Sequence, residues 1–159
     1  MNTRLSPLLE ILELNTRLFL NALDGVDDEK ARARPAGGNN MAFVACHILD
    51  ARCYLAGMIG IEYEMPYASL LDEARSVDDL EDYPPLSGIR ECWRAVSDLL
   101  SERMADMKDS QLAQTPGQRF PVGDRTVLGG IAFLVQHDSF HLGQLAQLRS
   151  QLGLGPMAY

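Results

Sequence analysis

Histidine is scarce in this chain, at three residues in 159, as are cysteine, also three, and tryptophan, a single residue. The cysteines, Cys46, Cys53 and Cys92, form no CxxC and leave an odd thiol, which argues against a disulfide framework and for a reducing compartment. Basic side chains are outnumbered, 14 against 22 acidic ones for a net charge of −8, so the chain lacks the electrostatic footprint of a nucleic-acid or anionic-membrane binder. Long uncharged runs are missing too. Val127 to Gln136 falls well short of the ~20 residues that span a bilayer. No basic stretch followed by an apolar one opens the sequence, so no secretory signal is expected. What is present, 47% apolar and 23% charged residues, is the composition of a globular fold with one core. The expectation is a single domain over residues 1–159, soluble and cytoplasmic, with no nucleic acid and no membrane as partner.

Apolar periodicity then divides the chain. Ser6-Pro7 reads as an N-cap followed by proline at the first helical position. Leu8, Leu9, Ile11, Leu12, Leu14, Leu18, Phe19 and Leu23 give a broad apolar face that ends at Asp24-Gly25. After a polar stretch, Asn40 is placed to cap a second helix from Met41 to about Ile59, with His47 inside its apolar stripe. Residues 60–86 form a long connection with six acids between Asp72 and Asp82, read as a solvated loop. Its length implies that the second and third helices need not form a simple hairpin. Ser87 is expected to cap the third helix, whose stripe runs from Ile89 through Trp93 to Met107. Trp93 sits mid-stripe as a core anchor. Residues 108–125, rich in Pro and Gly, have room for a short hairpin. Thr126 caps a fourth helix that can reach Leu152, about 39 Å at 1.5 Å per residue, before Gly153 and Pro156 stop it. The predicted fold class is all-α, a four-helix bundle.

The three histidines all fall on stripes where periodicity predicts burial. His137 and His141 stand four apart, which puts their β-carbons ~5–6 Å from each other on one helix face. Two such imidazoles can converge on a metal at ~2.0–2.1 Å. Neighbouring bundle helices lie ~8–10 Å apart, so His47 can reach across as a third ligand where depths match. Both antiparallel and parallel packings allow this. The competing reading is three separate core histidines, each hydrogen-bonded; burying three polar rings without partners costs several kcal/mol, and one shared cation satisfies all three.

Asn39-Asn40 followed by His47, then His137-Asp-Ser-Phe-His141-Leu-Gly-Gln-Leu-Ala-Gln-Leu-Arg149, resembles the DinB/YfiT-like family of small metalloproteins. The resemblance implies a four-helix bundle, a homodimer, and a nickel, zinc or iron ion held by three histidines that map onto His47, His137 and His141. It also implies a small-molecule substrate and a low-molecular-weight thiol as cofactor. Characterised members include a maleylpyruvate isomerase that uses mycothiol, transferases that use bacillithiol, and the metal-binding part of ergothioneine-pathway enzymes. The last group carries a glutamate where this sequence has Gly143, a departure from its pattern.

Three neutral histidines leave a divalent cation with open positions, the arrangement of catalytic rather than closed structural sites. Such a cation lowers the pKa of a bound thiol or polarises a carbonyl. The favoured reading is a thiol-dependent S-transferase, isomerase or hydrolase acting on a small electrophile. Its alternative is a non-catalytic, metal-stabilised ligand-binding or stress-response protein. Helical offsets nominate Asp50, three after His47, and Gln144, three after His141, to orient a ring or meet a substrate. Asp138 precedes His141 by three. Arg149, two turns beyond His141, is placed to bind a carboxylate at the pocket's far end. Cys46 points about 100° away from His47 and reads as a core thiol. A peptidase reading of His137-Asp-Ser-Phe-His141 sets aspartate where HExxH has its base, about a methylene too short. A ferritin-like di-iron centre needs two Glu-x-x-His motifs, and neither histidine region has one. Met157-Ala158-Tyr159 is an apolar tail able to fold back on the bundle or onto a partner.

Overall fold

The apolar stripes become four long helices in the computed structural model, which describes residues 2–71, 76–80 and 82–158. They are α1 (Ser6–Ala22), α3 (Met41–Met58), α5 (Leu86–Asp106) and α7 (Val127–Gln151). Short helices α2 (Asp28–Arg32), α4 (Ala68–Leu71) and α6 (Asp109–Leu112) punctuate the connections. No strand occurs among the described residues, so 108–125 holds α6 and turns, and the short hairpin for which it has room does not form. Part of the acidic run, residues 72–75 and 81, lies outside the described residues. Of its remaining acids, Asp78, Asp79 and Asp82 are exposed, and Asp78 pairs with Arg34 at 2.6 Å.

Helix starts follow local chemistry where the cap is local. Asn40 accepts the backbone N–H of Phe43 at 2.7 Å and so opens α3. Two expected caps shift. Ser6 lies inside α1, because the turn before it already supplies a carbonyl from Asn2. Ser87 lies inside α5, whose first N–H, on Leu86, is taken at 2.8 Å by the Asp28 carboxylate. That acceptor comes from 58 residues away, beyond the reach of any local pattern. Thr126 does stand at the N-cap of α7, but its hydroxyl turns back to Asp124.

Pairings between helices fix their order and direction. Asn15 of α1 meets Val135 and Ser139 of α7, and Ala22 meets Arg149 further on, so α1 and α7 run parallel. Thr16 meets Trp93 and Leu23 meets Arg90, so α5 is antiparallel to α1. Arg52 meets Ser97 and Ile59 meets Arg103, so α3 and α5 are parallel neighbours. His47 lies against His137, and Met58 beside Gly130, so α3 is antiparallel to α7. The bundle is therefore up–down–down–up, and the long stretch between α3 and α5 is a crossover that returns the chain to the bundle's other end. A hairpin cannot join parallel neighbours, which accounts for its length.

The core is sealed by Trp93, which stacks on Phe19 at 4.0 Å between ring centres and donates its N–H to the Thr16 carbonyl. Cys46 is buried there, its thiol pushed up to about 12 by burial. Helix α3 has the length and hydropathy of a membrane span, yet more than half of it is buried against its neighbours, as befits a core helix. The C-terminal segment folds back: Met157 packs on the core and the Ala158 N–H reaches Asn21 at 2.9 Å. Tyr159 lies outside the described residues.

Gly129 lies hard against the backbone of the turn that precedes α7. A β-carbon there would sit 2.3 Å from the Asp124 backbone oxygen. Gly129→Ala is therefore expected to lose about 1–3 kcal/mol to overpacking, despite alanine's better helix propensity. Urea denaturation showing the variant at least as stable as wild type contradicts this close approach.

Candidate metal centre

Helix α3 delivers His47 two turns after its Asn40 cap, and α7 delivers His137 and His141 on adjacent turns of the facing side. The Nε2 atom of His137 lies 3.1 Å from Nε2 of His47 and 3.1 Å from Nε2 of His141. One ligand atom from each of the three lies within 4.8 Å of the others. Nitrogens 3.1 Å apart, each about 2.0–2.1 Å from a shared centre, subtend about 95–102° there, between octahedral and tetrahedral angles. This trio is the group of histidine, cysteine and acidic side chains able to hold a cation among the described residues.

The burial expectation needs correction. His47 is exposed, and His137 and His141 are half-buried, so the rings form the rim of an opening rather than part of a sealed core. A helical stripe marks the side facing a neighbouring helix but not how deep in the bundle a residue on it sits. The opening is a cavity of about 200 Å³ lined by Asn39, Phe43, Val44, His47, His141 and Gln144.

Protonation favours ligation. Desolvation holds His47 below its ordinary pKa, reinforced by His141. Desolvation, His141 and His47 together lower His137 to about 4. Gln144 takes Nδ1–H of His141 on its Oε1 at 2.7 Å, which fixes the tautomer and leaves the Nε2 lone pair facing the other rings. Direct hydrogen bonding within the trio is a poorer solution, because one proton on His137 Nε2 serves only one neighbour well. His137 Nδ1 is buried without a partner.

One pH dependence follows for the metal-free protein. His137 is depressed from about 6.5 unfolded to about 4 folded, so the unfolded chain takes up the proton first. Stability is full above about pH 6.5 and falls as the pH drops toward 4. Thermal melts in the presence of chelator should show this loss, and His137→Ala should reduce it. A wild-type profile flat over that window contradicts the reading.

The other nominated residues divide. Gln144 does orient a ring. Asp50 is exposed on α3, where its charge adds to burial, the larger cause, in raising the thiol pKa of Cys46 and Cys53. Arg149 does not face the opening: it donates to the backbone carbonyls of Ala22, Asp24 and Leu154. It thereby closes the C-terminal end of α1, where a cation is favoured by the helix dipole, and supplies no carboxylate site.

Asp138 is neither solvated nor available as a base. It is 2% exposed and accepts from Nε and Nη2 of Arg52 at 3.0 and 2.8 Å. Arg52, itself 1% exposed, also reaches Thr16 and Ser97 and lies 3.6 Å above the Trp93 ring centre. One guanidinium thus joins α1, α5 and α7 to α3, directly beneath the histidine pair. Sequence reasoning passed over Arg52, although a visible signal existed: α3 carries only two charged residues, Asp50 and Arg52. With Asp138 engaged in this way, the peptidase reading loses its base.

A family model described as the DinB superfamily matches residues 11–145, from α1 through His141 and Gln144. A search of curated proteins finds no match.

Proposed function

The chain belongs to the DinB superfamily, and from that premise and its three converging imidazoles we propose a metal-dependent enzyme that joins or rearranges a thiol and a small electrophile. The observation that carries this reading is the pair of 3.1 Å contacts among Nε2 atoms, which presents three neutral donors to one side of a single point. His47, His137 and His141 would hold a divalent nickel, zinc or iron ion, for which nitrogen donors are suited. When bound, such an ion supplies Lewis acidity, lowering the pKa of a thiol or polarising a carbonyl.

The residues themselves do the rest. Gln144 keeps His141 in the ligating tautomer. Phe43 lies parallel to the His47 ring at 6.3 Å and, with Val44, gives the opening an apolar side on which an uncharged electrophile can rest. In the transfer, the thiol's sulfur forms the new bond to carbon and its proton ends on the displaced group; an isomerisation returns the thiol at the end. A homodimer is part of the proposal: Phe140 at 59% and Ile11 at 41% exposed are apolar side chains that a second copy can cover.

The test is turnover. Zinc-, nickel- and iron-loaded protein is assayed with several thiols and electrophiles beside His141→Ala, while native mass measurement counts metals and subunits. Turnover confined to the loaded wild type supports the enzyme. Equal turnover in both proteins removes it, and loaded protein with no turnover in any combination favours the ligand-binding alternative.

A further inference from the structure

Sulfur donors gather on another side of α3. Cys53 follows His47 by six residues, about 240° around the helix, and so leaves α3 on a different side from the histidine trio. Its thiol donates to Sδ of Met65, 3.7 Å away in the irregular stretch between α3 and α4. Cys92 of α5 belongs to the same neighbourhood. Arg52, beside Cys53 in the chain, lies 3.6 Å above the ring of Trp93, which is beside Cys92. Tyr63, two residues before Met65, donates its hydroxyl to the Cys92 carbonyl at 3.4 Å. The charge of Cys92 reaches Cys53, and the charges of both thiols reach Tyr63.

The sulfur–sulfur distance carries chemical information. Two sulfurs each about 2.3 Å from a shared centre and 3.7 Å apart subtend about 107° there, close to the tetrahedral angle. Thiolate and thioether are soft donors, suited to a soft ion. Among the described residues no imidazole or carboxylate makes a ligand group with these two cysteines, so the site lacks the further nitrogen or oxygen donor that would close a zinc shell. Burial, joined by the charge of Asp50, pushes the Cys53 thiol up to about 12, while Arg52 acts in the other direction. A bare thiolate is therefore costly at this position. A coordinated cation removes that cost, and the displaced thiol proton passes to solvent. An entry path exists. Cys53 is half-buried, and Met65 lines an open depression of about 620 Å³ with Tyr63 and Glu64.

We propose that Cys53, Met65 and Cys92 form a copper(I) site, separate from the histidine trio and selective for a different class of ion. Three nitrogens suit a divalent ion of intermediate softness; three sulfurs suit a soft monovalent one. The site uses none of the groups assigned to thiol transfer, so it stands or falls independently of that reading.

The test is competition for copper. Reduced protein is titrated without oxygen against the copper(I) complex of bicinchoninate, whose colour reports what the protein withdraws. The expected result is one copper(I) per chain, held with the same affinity in wild type and in His141→Ala. Cys53→Ser and Cys92→Ser should each bind at least about a hundredfold more weakly, since losing a ligand costs no less than losing the partner that orients one. Met65→Leu, nearly isosteric and so gentle on the fold, should bind about tenfold more weakly, as befits a neutral donor. Cys46→Ala, whose thiol is buried elsewhere in the core, should match wild type. X-ray absorption at the copper edge reads the donors without any substitution, and a shell of sulfur alone is expected. A nitrogen shell, or affinity lost in His141→Ala, places the copper at the trio and overturns the proposal. Unchanged affinity in Cys53→Ser, Cys92→Ser or Met65→Leu overturns it as well, as does a wild type that withdraws no copper from the chelator.

Discussion

Zinc in excess is expected to raise the melting temperature of the wild-type protein by about 10 °C, and that of His141→Ala not at all. A ligand that binds only the folded state adds about 4.1 kcal/mol at 1,000 times its dissociation constant. For a domain of this size each kcal/mol moves the melting temperature by about 2–4 °C. The whole increment depends on nitrogens from α3 and α7 meeting, since neither helix alone presents more than two rings on one side. His47→Ala should abolish most of the rise, because His137 and His141 alone leave a two-coordinate site. Differential scanning fluorimetry with and without zinc measures this directly. An equal rise in wild type and His141→Ala places the metal elsewhere and removes the basis for the proposed chemistry.

The second large effect concerns the charge beneath the rings. Asp138→Ala leaves the Arg52 guanidinium buried without its counter-charge, at an expected cost of about 3–5 kcal/mol. That is a large share of the total stability of an ordinary domain, typically about 5–15 kcal/mol. Arg52→Met should cost a comparable amount, because burial already disfavours the Asp138 carboxylate and Arg52 is the main group that offsets it. Replacing both, as Arg52→Met/Asp138→Ala, should cost less than the two single losses summed, since no orphaned charge remains. Urea denaturation of the four proteins completes the cycle. Strictly additive losses would show that the pair acts as two independent groups and not as a peg between helices.

Much of the fold and of the histidine trio is legible in the sequence. The i, i+4 spacing of His137 and His141 guarantees a shared face wherever the helix goes, and Gln144 at i+3 inherits that face. The starts of α3 and α7 are readable because Asn40 and Thr126 stand immediately before them, though only Asn40 caps its helix through its side chain. What escaped depended on partners remote in sequence. Arg149 was expected at the pocket because its register allows it, but the carbonyls at the end of α1 claimed it. Ser87 lost its capping role to Asp28 for the same reason. The exposure of His47 could not be read from a stripe, since periodicity gives direction around a helix and not depth in the bundle. Arg52 was the avoidable omission: an arginine in so apolar a helix demands an anion, and α7 offers one at Asp138.

The up–down–down–up course has a consequence for how the protein is made. His47 and His137 are separated by 90 residues. At about 5–20 residues per second on the ribosome, α3 waits roughly 5–20 s for the helix that completes the trio. During that interval the nascent chain offers a passing ion one imidazole and no enclosure. If the trio holds its proposed ion, acquisition would be deferred until α7 has been synthesised and docked, so that an occupied centre would certify an assembled bundle.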